Sequence, residues 1–408
     1  GFIEKTPYFG IKSLDADFTE DSVRGLDGAC AAENVTVVGA SLDAEYFAAV
    51  ERLGLSPEAV EEYGGKVKIV YTPVHGTGYM PVTKVLGHMG ISVTVVPEQA
   101  KPDTEFSTVR VPNPEEADTL ALGVKLADEI GSDVVIGTDP DADRMGVAVR
   151  DGEGKFVLLN GNQTGALMTE YILRRRKESG TLPVNGAIVK TIVTTELARK
   201  IASGYGVATF DVLTGFKYIG EKIKEWEASG EYVYLFGFEE SYGSLVGTHA
   251  RDKDAVAGAM IFAEMICYYD SLGMSLWQVL QDIYARFGFF DERSTSVAFG
   301  GVDGMRKMKD IMAKLRAQQF DVIEGTRVEA VSDLSAGVKR YVDGREEGTG
   351  LPATNALKIH LAGGDWICAR PSGTEPKLKF YAAASAPCAS CAAARAESYL
   401  AYMKRLAE

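Results

Sequence analysis

Cysteine is scarce. There are 5 in 408 residues, an odd and small number that excludes a disulfide framework and makes a reducing cytoplasm the default compartment. A lone C-x-x-C, Cys388 and Cys391, has no second Cys pair and no thioredoxin-like context, so it reads as two reduced thiols at a helix start. Positive charge is in deficit: 43 Lys and Arg against 57 Asp and Glu leave a net charge of -14. A general nucleic-acid binder needs basic surface to neutralise phosphates, so that class is excluded. A small anionic ligand is not, because a few local Arg and Lys can make a positive cleft in an acidic protein. No apolar run reaches transmembrane length, and no basic-then-apolar signal opens the chain, so no membrane partner is expected. Low-complexity tracts and solenoid repeats are also missing.

What is present is patterned for several domains. At ~100–200 residues per domain the length calls for two to four. Residues 1–30 are polar and read as a lead-in. Strands Val67–Thr72, Ile91–Val96 and Asp133–Gly137 alternate with helices Pro81–Met89 and Glu115–Ile130, an order that gives a mainly parallel sheet covered by helices. A break is expected at Asp151-Gly-Glu-Gly154, after which the alternation restarts: strands Ala187–Val193, Val207–Leu213 and Tyr232–Phe236, helices Thr195–Ala202 and Phe216–Ala228, then helices at 253–270 and 275–287. Past a second break at Gly288–Glu292 come short strands, Ser294–Phe299, Leu357–Leu361, Trp366–Ala369 and Leu378–Ala383, flanked by helices at Met305–Gln318 and from 388. The expected fold is two similar three-layer α/β domains with mixed sheets (31–152 and 153–290), followed by a smaller α+β domain with an antiparallel sheet (291–408).

The sharpest local signal is Thr138-Asp139-Pro140-Asp141-Ala142-Asp143-Arg144. Three carboxylates at alternate positions repel one another, and a hard divalent cation relieves the repulsion. A calcium EF-hand fails on spacing, since its sixth loop position is Arg144 and its twelfth Arg150. Mg²⁺ with few protein ligands fits better, at the strand end where open sheets bind ligands. The plain alternative is a solvated acidic turn. His75-Gly76-Thr77-Gly78 is a partial dinucleotide fingerprint whose last position is Pro81, with Glu98 where a ribose-binding acid would stand. A tight turn explains it equally well, with His75 structural.

Arg370-Pro-Ser372-Gly373-Thr374-Glu-Pro-Lys377 frames a glycine with two hydroxyls and cations, a set able to hold phosphate oxygens, with Lys379 adding charge. A Pro/Gly-rich hairpin is the rival. Glu239-Glu-Ser241 can bracket vicinal sugar hydroxyls. Thr214-Gly-Phe-Lys217 and Arg251-Asp-Lys253-Asp254 bring cations, each of which singly reads as a solvated loop.

In this order, with Thr72–Gly78, Leu213–Lys217 and His249–Asp254, these segments resemble the α-D-phosphohexomutase family, especially its bacterial phosphoglucomutase/phosphomannomutase branch. The resemblance runs over most of residues 30–385. It implies Mg²⁺ on Asp139, Asp141 and Asp143, sugar hydroxyls on Glu239 and Ser241, and the non-reacting phosphate on Arg370, Ser372, Gly373 and Thr374. Arg144, Lys217, His249, Arg251, Lys253 and Lys379 would line the cleft. The implied ligands are hexose phosphates: glucose 1-phosphate, mannose 1-phosphate and a hexose 1,6-bisphosphate. The implied reaction moves phosphate between O1 and O6, with a phosphoserine as donor in an N-terminal loop containing Ser-His-Asn. None of His75, His88, His249 and His360 follows a Ser. The expectation is therefore the last three of four domains, without the phosphoserine domain, and no turnover by this chain alone. A non-catalytic sugar-phosphate binding protein is the first rival, a nucleotide-binding dehydrogenase or transferase the second.

Overall fold

Apolar, β-branched runs alternating with helices build three sheets in the computed structural model, which describes residues 39–300, 303–372 and 375–407. The expected lead-in at 1–30 lies outside the described residues, as do Gly373 and Thr374. Helix α1, Ala40–Glu51, belongs to a unit ending at Arg52; a second unit runs from Leu53 to Glu408.

In that second unit α2, Pro57–Tyr63, leads to β1, Ile69–Thr72, α3, Tyr79–His88, and β2, Val93–Val95. Helix α4, Ala117–Ile130, then precedes β3, Val134–Thr138, β4, Met145–Arg150, and β5, Phe156–Leu159. The sheet order is β2-β1-β3-β4-β5, parallel across the first three strands and antiparallel after them. All five residues of β3 are buried, as suits a central strand covered on both faces. Residues 151–154, where a break is expected, form the turn of the β4–β5 hairpin, closed by Asp151 N–H on Lys155 O at 2.8 Å, and the first sheet runs on to Leu159.

Helix α5, Gly161–Glu178, opens on a capping box of Asn160 and Gln163. Next come β6, Gly186–Thr191, α6, Leu197–Gly204, β7, Ala208–Val212, α7, Lys217–Ser229, β8, Val233–Phe238, and β9, Ser244–Val246. The order β7-β6-β8-β9 repeats the first plan: three parallel strands and an antiparallel edge. Helices α8, Ala255–Ser271, and α9, Leu276–Phe287, complete this part. Nearly every residue of α8 is buried; it packs against α2 and α3 as well as β9.

The last part is all antiparallel. Its elements are β10, Phe289–Ala298, α10, Gly304–Ala317, β11, Val322–Ile323, β12, Thr326–Asp333, β13, Val338–Tyr341, β14, Glu346–Gly348, β15, Leu357–Leu361, β16, Trp366–Pro371, β17, Lys377–Ala386, and α11, Ala389–Ala407. The order is β10-β17-β16-β15-β12-β13-β14, with β11 beside β12. The fold is therefore two mixed α/β sheets followed by an antiparallel one, as expected. Cys388 and Cys391 depart from expectation: they are joined in a disulfide. Cys388 stands one residue before α11 and Cys391 on its first turn, which brings their Cα atoms to 5.3 Å, inside the range a disulfide spans.

The second and third sheets share a core in which Ile192, Val193 and Leu213 meet Trp366, Cys368 and Tyr381. At its edge the buried Lys358 ammonium on β15 donates to Ile192 O at 2.6 Å. Lys190, fully buried, is held between Glu196 at 3.0 Å and Asp211 at 2.9 Å, which offsets the cost of burying its charge.

One close approach positions the loop after β8. A Cβ on Gly165 of α5 would stand 2.1 Å from the ring of Phe238, which is 1% exposed and immediately precedes Glu239. An alanine in a helix interior normally gains about 0.5–1 kcal/mol over glycine. Here overpacking reverses the sign, and Gly165→Ala should lower the unfolding free energy by ~1–2 kcal/mol in urea. A gain in stability would show that Phe238 can move aside.

Candidate active site

Asp139 leaves the buried end of β3 with its own side chain fully buried. Its Oδ1 accepts from the amides of Asp143 at 3.0 Å and Arg144 at 2.9 Å, and its Oδ2 from Arg144 Nε at 2.7 Å. Burial pushes its carboxyl up to about 6, with the bonds from Arg144 opposing. The loop turns back through Ala142 in the left-handed region, φ 57°. That turn brings carboxylate oxygens of Asp139, Asp141 and Asp143 within 4.8 Å of one another. Asp141 is exposed. Asp143 Oδ1 is buried without a hydrogen bond, its nearest cation being Arg144 Nε at 3.7 Å, while Oδ2 is 2.9 Å from Lys253 Nζ. Oxygen-only donors, one of them unsatisfied, suit a hard divalent cation.

The glycine turn serves this loop. Thr77 N–H donates to Pro140 O at 2.8 Å, and a Cβ on Gly76 would stand 2.4 Å from Pro140 Cα, so only glycine admits the approach. His75 is spent within the protein, its ring nitrogens 2.8 Å from Lys101 O and 2.7 Å from Thr108 Oγ1. Both facts favour the structural reading of the turn over a dinucleotide site.

The loop after β8 lies directly alongside. Arg144 and Gly243 form an antiparallel bridge, and Met145 N–H donates to Tyr242 O at 3.2 Å. Glu239 is 8% exposed; burial raises its pKa, and its Oε1 accepts Gly215 N–H at 2.8 Å, tying this loop to the one after β7. Thr214 of that same β7 loop accepts a bond from Arg370 at the end of β16, whose other terminal nitrogen donates to Tyr381 OH at 3.2 Å. Across the strand pair Arg370 stands opposite Lys379. Ser372 N–H donates to Lys377 O at 2.7 Å, folding the C-terminal loop back on itself. Loops from all three sheets thus meet.

The remaining cations divide. Arg144, Lys253 and Lys379 stand among these loops. Arg251 instead pairs with Glu227 on α7 and donates to Thr248 O at 2.7 Å. His249 Nε2 lies 2.7 Å from Asp254 Oδ2, whose other oxygen caps α8. Lys217 is exposed at the first residue of α7, its Nζ 4.9 Å from the Tyr218 ring centre.

Three family models match in order: phosphoglucomutase/phosphomannomutase alpha/beta/alpha domain II over residues 44–152, domain III over 160–287 and the C-terminal domain over 307–397. The chain belongs to the phosphoglucomutase/phosphomannomutase family. A phosphoglucomutase of Staphylococcus haemolyticus is 36% identical over 317 residues, 77% of this chain and 57% of that relative. The chain thus spans little more than half of that relative's length. Parafusin, a phosphoglucomutase from Paramecium in its open form, shares the fold with a TM-score of 0.65 at 16% identity, over 89% of this chain and 62% of its own. N-acetylphosphoglucosamine mutase of Aspergillus fumigatus, solved with GlcNAc-6P and magnesium, gives 0.50 at 12% identity, over 88% and 66%.

In this family member a cavity of about 220 Å³ opens beside Ser241 and Lys379. Sequence reasoning missed much of its wall: Glu115, Glu240, Glu292, Arg293, Trp366 and Tyr381. Glu240, though inside the quoted Glu-Glu-Ser motif, accepts from Thr191 and Thr194, each at 3.2 Å. Glu292 is a carboxyl that burial pushes up to about 7. Its only sequence signal was its place just past the Gly288 break.

The acidic loop separates into a structural and an exposed carboxylate. Asp139→Ala strands two amides and Arg144 and should cost about 1.5–3 kcal/mol of stability in metal-free buffer. Asp141→Ala, at an exposed position, should stay within ~0.5 kcal/mol. Equal losses by chemical denaturation would contradict this division.

Proposed function

We propose that the cleft where the three loops meet binds a hexose phosphate, as part of a phosphohexomutase that interconverts hexose 1-phosphate and hexose 6-phosphate of glucose, mannose or both. The observation that carries the reading is the chain of contacts from Asp139 through the Arg144–Gly243 bridge and the Glu239–Gly215 bond to Arg370 on Thr214. It joins the acidic, sugar and phosphate motifs in one place.

In this reading Asp139, Asp141 and Asp143 hold Mg²⁺, as the magnesium in the Aspergillus relative supports. Bound there, the ion supplies charge stabilisation to a phosphoryl oxygen. Glu239 and Ser241 take sugar hydroxyls. Arg370 and Ser372, with Gly373 and Thr374 outside the described residues, take the phosphate that does not react; a guanidinium suits that task because its donors match phosphate oxygens. Arg144 and Lys253 keep the acidic loop in place and neutralise part of its charge, while Lys379 adds positive field. His249 and Arg251 act by shaping the 248–254 loop, and Lys217 from the start of α7. A cytoplasmic setting goes with this reading, because a charged sugar phosphate does not cross an apolar bilayer.

Calorimetric titration of glucose 1-phosphate into the chain, with Mg²⁺ present, tests the assignment. Arg370→Ala should weaken binding by ~1.5–3 kcal/mol, the range for hydrogen bonds to charged groups. Asp141→Asn should abolish the heat of Mg²⁺ binding and leave the fold intact. An unchanged dissociation constant in the first variant, or unchanged Mg²⁺ heat in the second, refutes the corresponding role.

The rival reading is a sugar-phosphate binding protein without turnover, and it is tested on the 408 residues themselves, which contain no Ser-His pair. A covalent carrier divides one difficult transfer into two feasible ones, and positioning without a phosphoryl donor transfers nothing. The 408 residues are therefore expected to bind ligand but form no glucose 6-phosphate from glucose 1-phosphate, glucose 1,6-bisphosphate and Mg²⁺. Turnover of ~1–1000 per second, usual for enzymes, would reject that expectation.

A further inference from the structure

We propose that Cys388 and Cys391 form a reversible dithiol–disulfide site on the C-terminal helix, open to exchange with small thiols. The pair lies outside the cleft and takes no part in the reading above.

Four observations place it there. Cys388, half-buried, stands at the position before α11, and Cys391, exposed, lies on its first turn. The disulfide between them is formed. Cys388 Sγ accepts the Cys391 amide N–H at 3.1 Å and has Ser390 Oγ at 3.3 Å, so it occupies the place an N-capping oxygen would fill. The first turn carries no carboxylate, so no acidic residue of that turn offsets the positive end of a 19-residue helix at this sulfur. Such a setting lowers the pKa of a thiol and stabilises its thiolate. By contrast, Cys267 and Cys368 are fully buried, and burial pushes their thiols up to about 12 and about 11, which leaves them inert.

The placement also sets the direction of exchange. The thiolate of an external thiol attacks the exposed Cys391 Sγ; the Cys388–Cys391 bond breaks and Cys388 leaves as the stabilised thiolate. A second external thiolate then attacks the external sulfur of the mixed disulfide and expels Cys391, which takes a proton. Two external thiolates are thereby oxidised to one disulfide, and the protein gains two electrons and one proton, the latter on Cys391, while Cys388 remains a thiolate. The reverse sequence restores the bond.

The test uses the intact chain. After trypsin, residues 380–395 form one peptide that contains these two cysteines and no other. The chain is equilibrated with mixtures of reduced and oxidised glutathione, unfolded, treated with iodoacetamide and digested. The expected result is a shift from an unalkylated peptide, lighter by two hydrogens, to a doubly alkylated one as the reduced form of glutathione comes to dominate. A peptide that stays in a single form across every mixture overturns the proposal. In Cys391→Ser, the alkylation rate of Cys388 should reach half its maximum at a pH below the free-cysteine value of about 8.5. A midpoint at or above that value overturns the claim that the helix start activates it.

Discussion

The Asp139 carboxylate closes a ring through the amides of Asp143 and Arg144 and the side chain of Arg144, and the rest of the cleft is built on that ring. Buried at the end of β3, it would be costly as a lone charge, so its surroundings supply donors to both oxygens. Arg144 is thereby fixed, and its backbone becomes the strand-like partner of Gly243. The loop carrying Glu239 then has one register against the acidic loop. Ala255 N–H on Ala142 O at 3.0 Å sets the start of the buried helix α8 from the same place.

The loops after β7 and β16 extend this frame through side chains. Glu239 takes an amide of the β7 loop, and Arg370 takes its threonine hydroxyl. Each contact spends part of a group's hydrogen-bonding capacity inside the protein, and Arg370 spends its second terminal nitrogen on Tyr381. Lys358 and the buried core around Trp366 hold the two sheets together behind the loops, so the loop contacts are not what keeps the C-terminal sheet in place.

Much of this was legible in the sequence because the motifs are local. Strand β3 reads as an apolar run and the three aspartates follow it at once, so the acidic cluster needed no knowledge of packing. Helix α5 was not legible: Gly161 to Leu173 is buried almost throughout, polar residues included, so no amphipathic stripe marks it. The Gly and Asp at 151–154 mark a hairpin turn as readily as a boundary, because these residues punctuate turns inside sheets as well as between domains. The cations were the least readable. Nothing local distinguishes Arg251, which is spent on Glu227, from Lys379, which borders the cavity; the difference lies in where α7 passes. Glu292 and Trp366 reach the cavity from strands far apart in sequence, a placement that only tertiary pairing creates.

The two facing loops share an unusual backbone demand. Ala142 and Tyr242 both adopt positive φ, 57° and 70°, a region where a β-branched side chain is badly strained. Tyr242 also offers its carbonyl to Met145, and Ala142 offers its own to Ala255. Drift at either position is therefore filtered by main-chain shape before any ligand is consulted: glycine and asparagine pass easily, whereas valine, isoleucine and threonine do not. Variation among descendants of this sequence would be channelled toward the rim of the cleft, leaving the hinge points of its two central loops nearly frozen even if the ligand changed.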